Sequence, residues 1–123
     1  MADPRHLLGL RAEEAVAAWL TGEGWQVLAR RWRCASGELD LVCRDGTGSL
    51  VGIEVKSRRS ARSGTPAESV DRRRLARLRS ALAAFQAQRS ESAPSLRIDL
   101  VTVVPLADES AWRLVRLPQI DAW

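Results

Sequence analysis

Two short runs of strand-forming residues, separated by a tight turn, restrict what this chain can fold into. Residues 38–44 (ELDLVCR) and 50–57 (LVGIEVKS) flank the segment Asp45-Gly-Thr-Gly48. Strand-like runs joined by a turn of this composition predict two antiparallel strands that are neighbours in one sheet. The connection is too short to hold a helix, so the fold should be built around this hairpin.

The remainder of the chain predicts helices and strands on both sides of the hairpin. Residues 4–21 have helical periodicity and residues 25–33 that of a strand, while a second helix is expected after an N-cap at Thr65. Residues 96–104 and 112–117 predict two further strands. The apolar stripes of the two helices consist of Leu8, Ala12, Ala15, Val16 and Trp19, and of Leu75, Leu78, Leu82 and Phe85. We therefore expect one α/β domain over residues 1–123, in the order α-β-β-β-α-β-β, with two or three layers around a mixed sheet.

Composition excludes several classes of protein. The 123 residues are 46% hydrophobic and 28% charged, as in ordinary globular domains, and no apolar run approaches the ~18 residues of a membrane span. Two cysteines, Cys34 and Cys43, and one histidine, His6, are too few for a zinc cluster or a disulfide scaffold. Without an apolar leader near the N-terminus, we expect a cytoplasmic protein with reduced thiols.

Positive charge is concentrated in one part of the chain. Of 19 basic residues 18 are arginine, and the formal net charge is +4. Between Ser57 and Arg79, eight arginines stand against Glu68 and Asp71, a local excess of +6, which leaves the other residues at −2. This block indicates either a surface that binds a polyanion such as nucleic acid or a solvated arginine-rich face, and charge alone does not separate the two.

Charged side chains alternate with apolar ones in both strands of the hairpin. Glu38 and Asp40 are two residues apart, as are Glu54 and Lys56, the only lysine of the chain. Residues two apart on a strand share a face, so we expect both pairs on one face and Leu39, Leu41, Ile53 and Val55 on the other. Three carboxylates converging there would repel one another.

A divalent cation would remove this repulsion, since Mg²⁺ prefers carboxylate oxygens and retains some of its water ligands. An adjacent lysine would suit a phosphate oxygen or an attacking water. The alternative is an exposed sheet face with Glu–Lys cross-strand pairs, which contribute only ~0.2–1 kcal/mol each.

The spacing of these residues resembles a known signature. Asp40, followed after 13 residues by Glu54-Val-Lys56, is similar to the D-(x)n-E-x-K motif of the PD-(D/E)xK, or restriction-endonuclease-like, nucleases. Within them, the chain resembles the YraN-like bacterial family of predicted endonucleases, which is similar to archaeal Holliday-junction resolvases. The matching blocks lie within residues 9–101 and include GLRAEEA at 9–15, GELDLV at 37–42, IEVKSR at 53–58, GTPAE at 64–68 and RIDLV at 97–101.

The resemblance implies a restriction-endonuclease-like fold and a role for each matching residue. Asp40 and Glu54 would bind Mg²⁺ or Mn²⁺, Lys56 would be the catalytic lysine, and the helix residue Glu13 would complete the metal site. Glu38 would support that site or act as a secondary ligand. The expected partner is nucleic acid, and DNA in particular, whose backbone phosphates would be held by arginines of the basic block, namely Arg58, Arg59, Arg72, Arg73 and Arg77.

Three functions are consistent with these observations. The first is a metal-dependent nuclease, for which a homodimer would suit symmetric cutting of two strands. The second is a catalytically inactive module that binds nucleic acid through its arginines. The third is an assembly protein whose arginine-rich helix docks on an acidic partner. A requirement for divalent metal and for Lys56 distinguishes the first from the other two.

Overall fold

The predicted order of helices and strands is confirmed by the structure. The computed structural model describes residues 4–57, 70–106 and 111–122. Its elements in chain order are α1 (Pro4–Gly22), β1 (Gln26–Cys34), β2 (Gly37–Arg44), β3 (Leu50–Ser57), α2 (Arg72–Arg89), β4 (Leu96–Pro105), β5 (Trp112–Leu117) and a closing 3-10 turn (Ile120–Ala122).

The five strands form one mixed sheet in the order β1-β2-β3-β4-β5. Antiparallel pairing joins β1 to β2, β2 to β3, and β4 to β5. Strands β3 and β4 are parallel, and the connection between them includes α2, which packs on one face of the sheet. The hairpin of β2 and β3 is therefore confirmed, and it brings the acidic segments of the two strands together.

The two helices cover opposite faces of the sheet, which makes three layers. On one face α1 buries Ala12, Val16, Ala17 and Leu20 against β2, β3 and β4. This buried stripe is rotated from the predicted one, since Ala15 and Trp19 are only partly buried. On the other face α2 buries all four predicted residues, Leu75, Leu78, Leu82 and Phe85.

Helix α2 begins later than the sequence predicted. The expected cap, Thr65, lies outside the described residues, whereas the described helix begins at Arg72 with Asp71 as N-cap. The carboxylate of Asp71 accepts a hydrogen bond of 2.8 Å from the N–H of Arg74. Asp71 thereby satisfies one of the backbone donors that are free in the first turn of a helix.

Asp99 of β4 is fully buried, and its hydrogen-bond partners lie on β4, on β5 and just after β5. The carboxylate accepts hydrogen bonds from Arg97 and Arg116 and from the backbone N–H of Gln119. Both guanidinium groups also lie over the ring of Trp25. Asp99 faces away from α2, because its neighbours on β4, Ile98 and Leu100, occupy the α2 side.

The described residues include both cysteines of the chain. Cys34 and Cys43 are both free thiols. Burial raises the pKa of Cys43 to about 12, so this thiol is unreactive at neutral pH. Within the described part of the chain, neither helix has the length and apolar character that crossing a bilayer requires.

Gly52 of β3 lies where the side chains of the neighbouring strands leave no room for a Cβ atom. A Cβ atom there would lie 2.9 Å from Ile98 Cδ1 and 3.2 Å from Leu39 Cδ2. We expect Gly52→Ala to lower the free energy of unfolding by about 1–3 kcal/mol, since buried side chains must shift to admit the methyl group. Urea denaturation measures this loss, with Gly46→Ala as control, because a Cβ at Gly46 would touch nothing within 4 Å. Equal losses in the two variants would contradict the close approach.

Candidate functional site

Strand β2 separates from β3 at Asp40. Regular pairing runs from Arg44 opposite Leu50 to Leu41 opposite Ile53, and ends there. Beyond that point the Asp40 carboxylate accepts a hydrogen bond of 2.8 Å from the backbone N–H of Val55. In a regular antiparallel ladder the N–H of Val55 would donate to a backbone carbonyl of β2. Here it donates to a side-chain oxygen instead.

This departure makes the predicted alternation along β2 wrong. Leu39 packs against α2, whereas Leu41, two residues later, packs against α1. The strand therefore turns between them, so the two leucines do not share the face that a period of two predicts, whereas Glu38 and Asp40 line the same cavity. The turn matters because it directs the Asp40 carboxylate towards β3 and Glu54.

Asp40 and Glu54 are adjacent carboxyl groups. Burial is the largest cause that raises the pKa of Asp40, to about 7, and the negative charge of Glu54 adds to it. The hydrogen bond from Val55 N–H acts in the opposite direction, since it favours the ionised carboxylate. Side-by-side buried carboxyls of this kind are costly for folding, and they are frequent where a protein binds a cation.

Arg74 of α2 neutralises Glu54. Its Nε lies 3.1 Å from Glu54 Oε2 and its Nη2 lies 2.9 Å from Oε1, so the guanidinium contacts both carboxylate oxygens. The Glu54 side chain is only 4% exposed, whereas that of Arg74 is 44% exposed. The carboxylate is thus fixed in the sheet, while the arginine reaches it from the solvent side of the helix.

Glu13 lies on α1, across the sheet from α2, and is bound by a different arginine. Arg31 Nε donates to Glu13 Oε1 at 3.0 Å. Glu13 is the more buried of two adjacent glutamates, with 18% of its side chain exposed against 70% for Glu14. The charge of Glu13 contributes least among the causes that raise the pKa of Asp40. The structure thus places Glu13 at the periphery of the Asp40–Glu54 pair.

The remaining two residues of the predicted site, one on each strand, lie beyond this pair, towards the end at which β2 and β3 separate. Glu38 forms a 2.8 Å ion pair with Arg33, its partner across the β1–β2 ladder. Lys56 follows Glu54 by two residues on β3, and the alternation of that strand puts both on the α2 side. The predicted sharing of a face thus holds on β3.

Helix α2 carries exposed arginines, and one of them, Arg77, lines the same cavity as Asp40. Arg72, Arg73 and Arg77 are all exposed, and Arg58 and Arg59 lie outside the described residues. A cavity of about 310 Å³ separates the start of β2 from α2. Its lining consists of Gly37, Glu38, Asp40, Arg74, Arg77 and Leu78. Positive and negative groups therefore meet at one opening.

The carboxylate oxygens at this site are the kind of ligand that a small, hard cation prefers, but only two carboxylates supply them. Within residues 4–57, 70–106 and 111–122, no three acidic, histidine or cysteine side chains converge closely enough to hold a metal ion. Two carboxylates, Asp40 and Glu54, do adjoin, and Mg²⁺ is commonly held by one or two carboxylates while it keeps several waters. A cation between them would also relieve the repulsion that raises the pKa of Asp40. The pair therefore fits Mg²⁺ or Mn²⁺, provided that Arg74 gives up the oxygens of Glu54.

The sequence matches the model of a known protein family. The sequence model of the "Uncharacterised protein family UPF0102" matches residues 12–103. The chain belongs to this family. It is the YraN-like family that the sequence motifs resembled. The matched segment includes Glu13, Asp40, Glu54, Lys56 and the arginines of α2.

Relatives from several bacteria carry the same family designation. A "UPF0102 protein" of Beutenbergia cavernae is 46% identical over 97 residues, which cover 79% of this chain and 81% of the relative. One from Symbiobacterium thermophilum is 44% identical over 104 residues, covering 82% and 85% of the two chains. A third, from Nocardioides, is 44% identical over 100 residues, covering 81% and 80%.

Two arginines of this UPF0102 chain are part of the site but were not singled out from the sequence. Arg74 has a signal that would have found it: on a helical wheel it borders the apolar stripe next to Phe85, whereas Arg72 and Arg73 lie farther round. Arg31 has no such signal. Its backbone has a positive φ of 49°, which is uncommon for a residue other than glycine and which no sequence pattern marked.

Proposed function

We propose that this protein is a divalent-cation-dependent nuclease that hydrolyses phosphodiester bonds, with the restriction-endonuclease-like fold that its motifs resemble. One observation carries the proposal: Asp40 and Glu54 adjoin at the point where β2 leaves β3, and Lys56 follows two residues along. Unrelieved, two buried like charges destabilise the folded chain. Their retention beside a lysine is explained by a cation that they bind together.

The cation would supply charge neutralisation and Lewis acidity at the phosphate. Asp40 would bind it with the oxygen that does not accept from Val55 N–H, and Glu54 would bind it from β3. Because the hydrogen bond from Val55 fixes the Asp40 carboxylate, little conformational freedom is lost on binding. Glu13 and Glu38, both held by arginines, would contribute through the local negative charge.

Lys56 would act on the group that attacks phosphorus. Its ammonium is a compact positive charge with three donors, suited to orienting a water molecule and to stabilising negative charge that develops on the phosphate oxygens. All eighteen other basic residues are arginines. A lysine at this one position is consistent with a requirement that a planar guanidinium does not meet.

The exposed arginines of α2 would hold the nucleic-acid backbone beside this site. Arg72, Arg73 and Arg77 present permanent charges, which bind phosphates without reading base sequence. Arg77 also lines the cavity that contains Asp40, so a strand bound along α2 would bring a phosphate to the carboxylates. The sequence predicts the same role for Arg58 and Arg59, which are part of this proposal.

We expect nucleic-acid affinity to fall steeply with salt and to depend on these arginines. On duplex DNA each neutralised phosphate contributes about −0.9 to the slope of log K against log salt. Replacing Arg72, Arg73 and Arg77 by alanine should weaken binding to every sequence alike and flatten the slope by about one per lost contact. Fluorescence anisotropy over a salt series measures both quantities. An unchanged slope in the triple variant would remove α2 from the interface.

A second candidate function is a nucleic-acid-binding module without catalysis. It is favoured by the ion pairs of the acidic residues, since Glu13, Glu38 and Glu54 each bind an arginine. In that case the acids stabilise the fold and the arginines of α2 bind nucleic acid.

A cleavage panel tests the nuclease against the binding module. The substrates are duplex, single-stranded, flap and junction DNA, together with RNA, each with Mg²⁺, with Mn²⁺ or with EDTA. A nuclease cleaves at least one substrate only with metal and loses this activity in Glu54→Gln. Binding without cleavage of any substrate in either metal would favour the module.

A further inference from the structure

The contact between Arg74 and Glu54 occupies the atoms that a cation would need. Both oxygens of Glu54 accept from one guanidinium, at 2.9 and 3.1 Å. This forked arrangement is among the stronger ion pairs in proteins because two parallel hydrogen bonds add to the charge attraction. A divalent cation on Glu54 would meet a positive group already in place.

The two partners differ in their freedom to move. Glu54 lies within β3 and is 4% exposed, so its carboxylate cannot leave the sheet without disrupting the core. Arg74 is 44% exposed and reaches Glu54 from the first turn of α2, so its long side chain can swing away while the helix stays in place. If one partner is displaced, it is Arg74.

The surroundings of Arg74 supply a second position for its guanidinium. Arg74 and Arg77, one helical turn apart, line the same cavity as Asp40. A phosphate entering this cavity would find two guanidinium groups at its edge. Arginine binds phosphate with the same forked geometry that it uses for carboxylates.

We propose that Arg74 couples cation binding to nucleic-acid binding: it holds Glu54 while the cation is absent, gives up Glu54 to the cation, and then binds a phosphate oxygen of the nucleic acid. The inference rests on the proposed function, because it concerns the same cation site. Thermodynamic linkage requires the two effects to be equal in size: nucleic acid raises the affinity for the cation by the same factor as the cation raises the affinity for nucleic acid. Arg74 is a positioning residue in this scheme.

The first experiment measures Mn²⁺ affinity without nucleic acid, by titration calorimetry on wild type, Arg74→Gln and Arg77→Gln. Arg77→Gln is the matched control, since it removes one positive charge from the same cavity and leaves the contact with Glu54 intact. Arg74→Gln should bind Mn²⁺ at least about fivefold more tightly than wild type, the lower end of typical coupling. Arg77→Gln should show a smaller gain.

The second experiment measures the coupling itself with a DNA duplex in a Lys56→Met background, in which cleavage is expected to be slow. DNA should increase Mn²⁺ affinity when Arg74 is present. The ratio of the Mn²⁺ affinities with and without DNA should fall towards one in the Arg74→Gln, Lys56→Met double variant. Arg74→Lys covers the case in which glutamine destabilises the fold. Lysine keeps the charge but cannot form the two parallel hydrogen bonds of a guanidinium, so the Mn²⁺ affinity of this variant should lie between those of wild type and Arg74→Gln.

The outcomes separate this inference from the function on which it rests. Equal Mn²⁺ affinities in Arg74→Gln and Arg77→Gln, or weaker binding in Arg74→Gln, would overturn the coupling and leave the cation site in place. If no form of the protein binds Mn²⁺, the proposed nuclease function fails together with the coupling. Tighter binding in Arg74→Gln with loss of the DNA effect supports the inference.

Discussion

Replacing Lys56 by methionine should lower the rate of cleavage by ~10²–10³-fold and change nucleic-acid affinity little. The loss falls on turnover because the ammonium would act on charge that develops in the transition state, which binding of the ground state does not measure. Methionine keeps most of the length and volume of the lysine stem. The fold should therefore survive, since Lys56 is only partly buried at the end of β3.

Single-turnover kinetics with saturating enzyme separate the chemical step from binding. Lys56→Arg is an informative companion, since a guanidinium restores the charge in a bulkier, planar form and should rescue the rate poorly. Arg77→Met is the control for loss of one positive charge near the site, and it should affect affinity more than turnover. Wild-type cleavage by purified Lys56→Met would mean that the activity comes from another site or a contaminant.

Asp40→Asn should be more stable than wild type above pH 7 in the absence of divalent metal, by roughly 1–4 kcal/mol. Burial and the neighbouring Glu54 raise the pKa of Asp40 to about 7, whereas the unfolded chain has an ordinary aspartate. Asparagine keeps an oxygen that accepts from Val55 N–H and can donate to Glu54 from its nitrogen. It therefore preserves the contacts and removes the charge.

The pH dependence of this difference follows from the raised pKa. Between about pH 4 and 7 the folded state holds a proton that the unfolded state has lost, so the stability of wild type falls as the pH rises. The cost is absent below the unfolded pKa and complete above the folded pKa. Asp40→Asn lacks this cost, so the two proteins should diverge between pH 4 and 7 and then stay apart.

Urea denaturation at pH 5 and pH 8, in EDTA, measures the divergence. Glu14→Gln is the matched control, because it also removes one carboxylate, but from a side chain of α1 that is 70% exposed. Its stability relative to wild type should not grow between the two pH values. A constant difference between Asp40→Asn and wild type would mean that Asp40 is not held against Glu54.

The order of elements and the meeting of Asp40 with Glu54 were predictable because both depend on short-range features. The turn at residues 45–48 fixes β2 and β3 as neighbours, and the register then brings residue 40 close to residue 54. The apolar stripe of α2 likewise follows from helical spacing alone. The single domain, the cation and the nucleic-acid partner remain predictions.

The details that the sequence did not predict are set by tertiary contacts. A strict period of two could not anticipate that β2 turns at Asp40, because the turn depends on a hydrogen bond to Val55 across the sheet. Arg74 was not among the arginines predicted to bind phosphate, because those were chosen for their charge and not for their place on the helical wheel. Its position next to the apolar stripe distinguishes it.

Titration of Mn²⁺ into the metal-free protein at pH 8 tests most directly whether Asp40 and Glu54 form a cation site. At this pH Asp40 is mainly ionised, since its pKa is about 7. Saturable binding is expected in wild type and in Glu14→Gln, and it should be lost in Asp40→Asn. Equal Mn²⁺ affinity in wild type and Asp40→Asn would contradict the site.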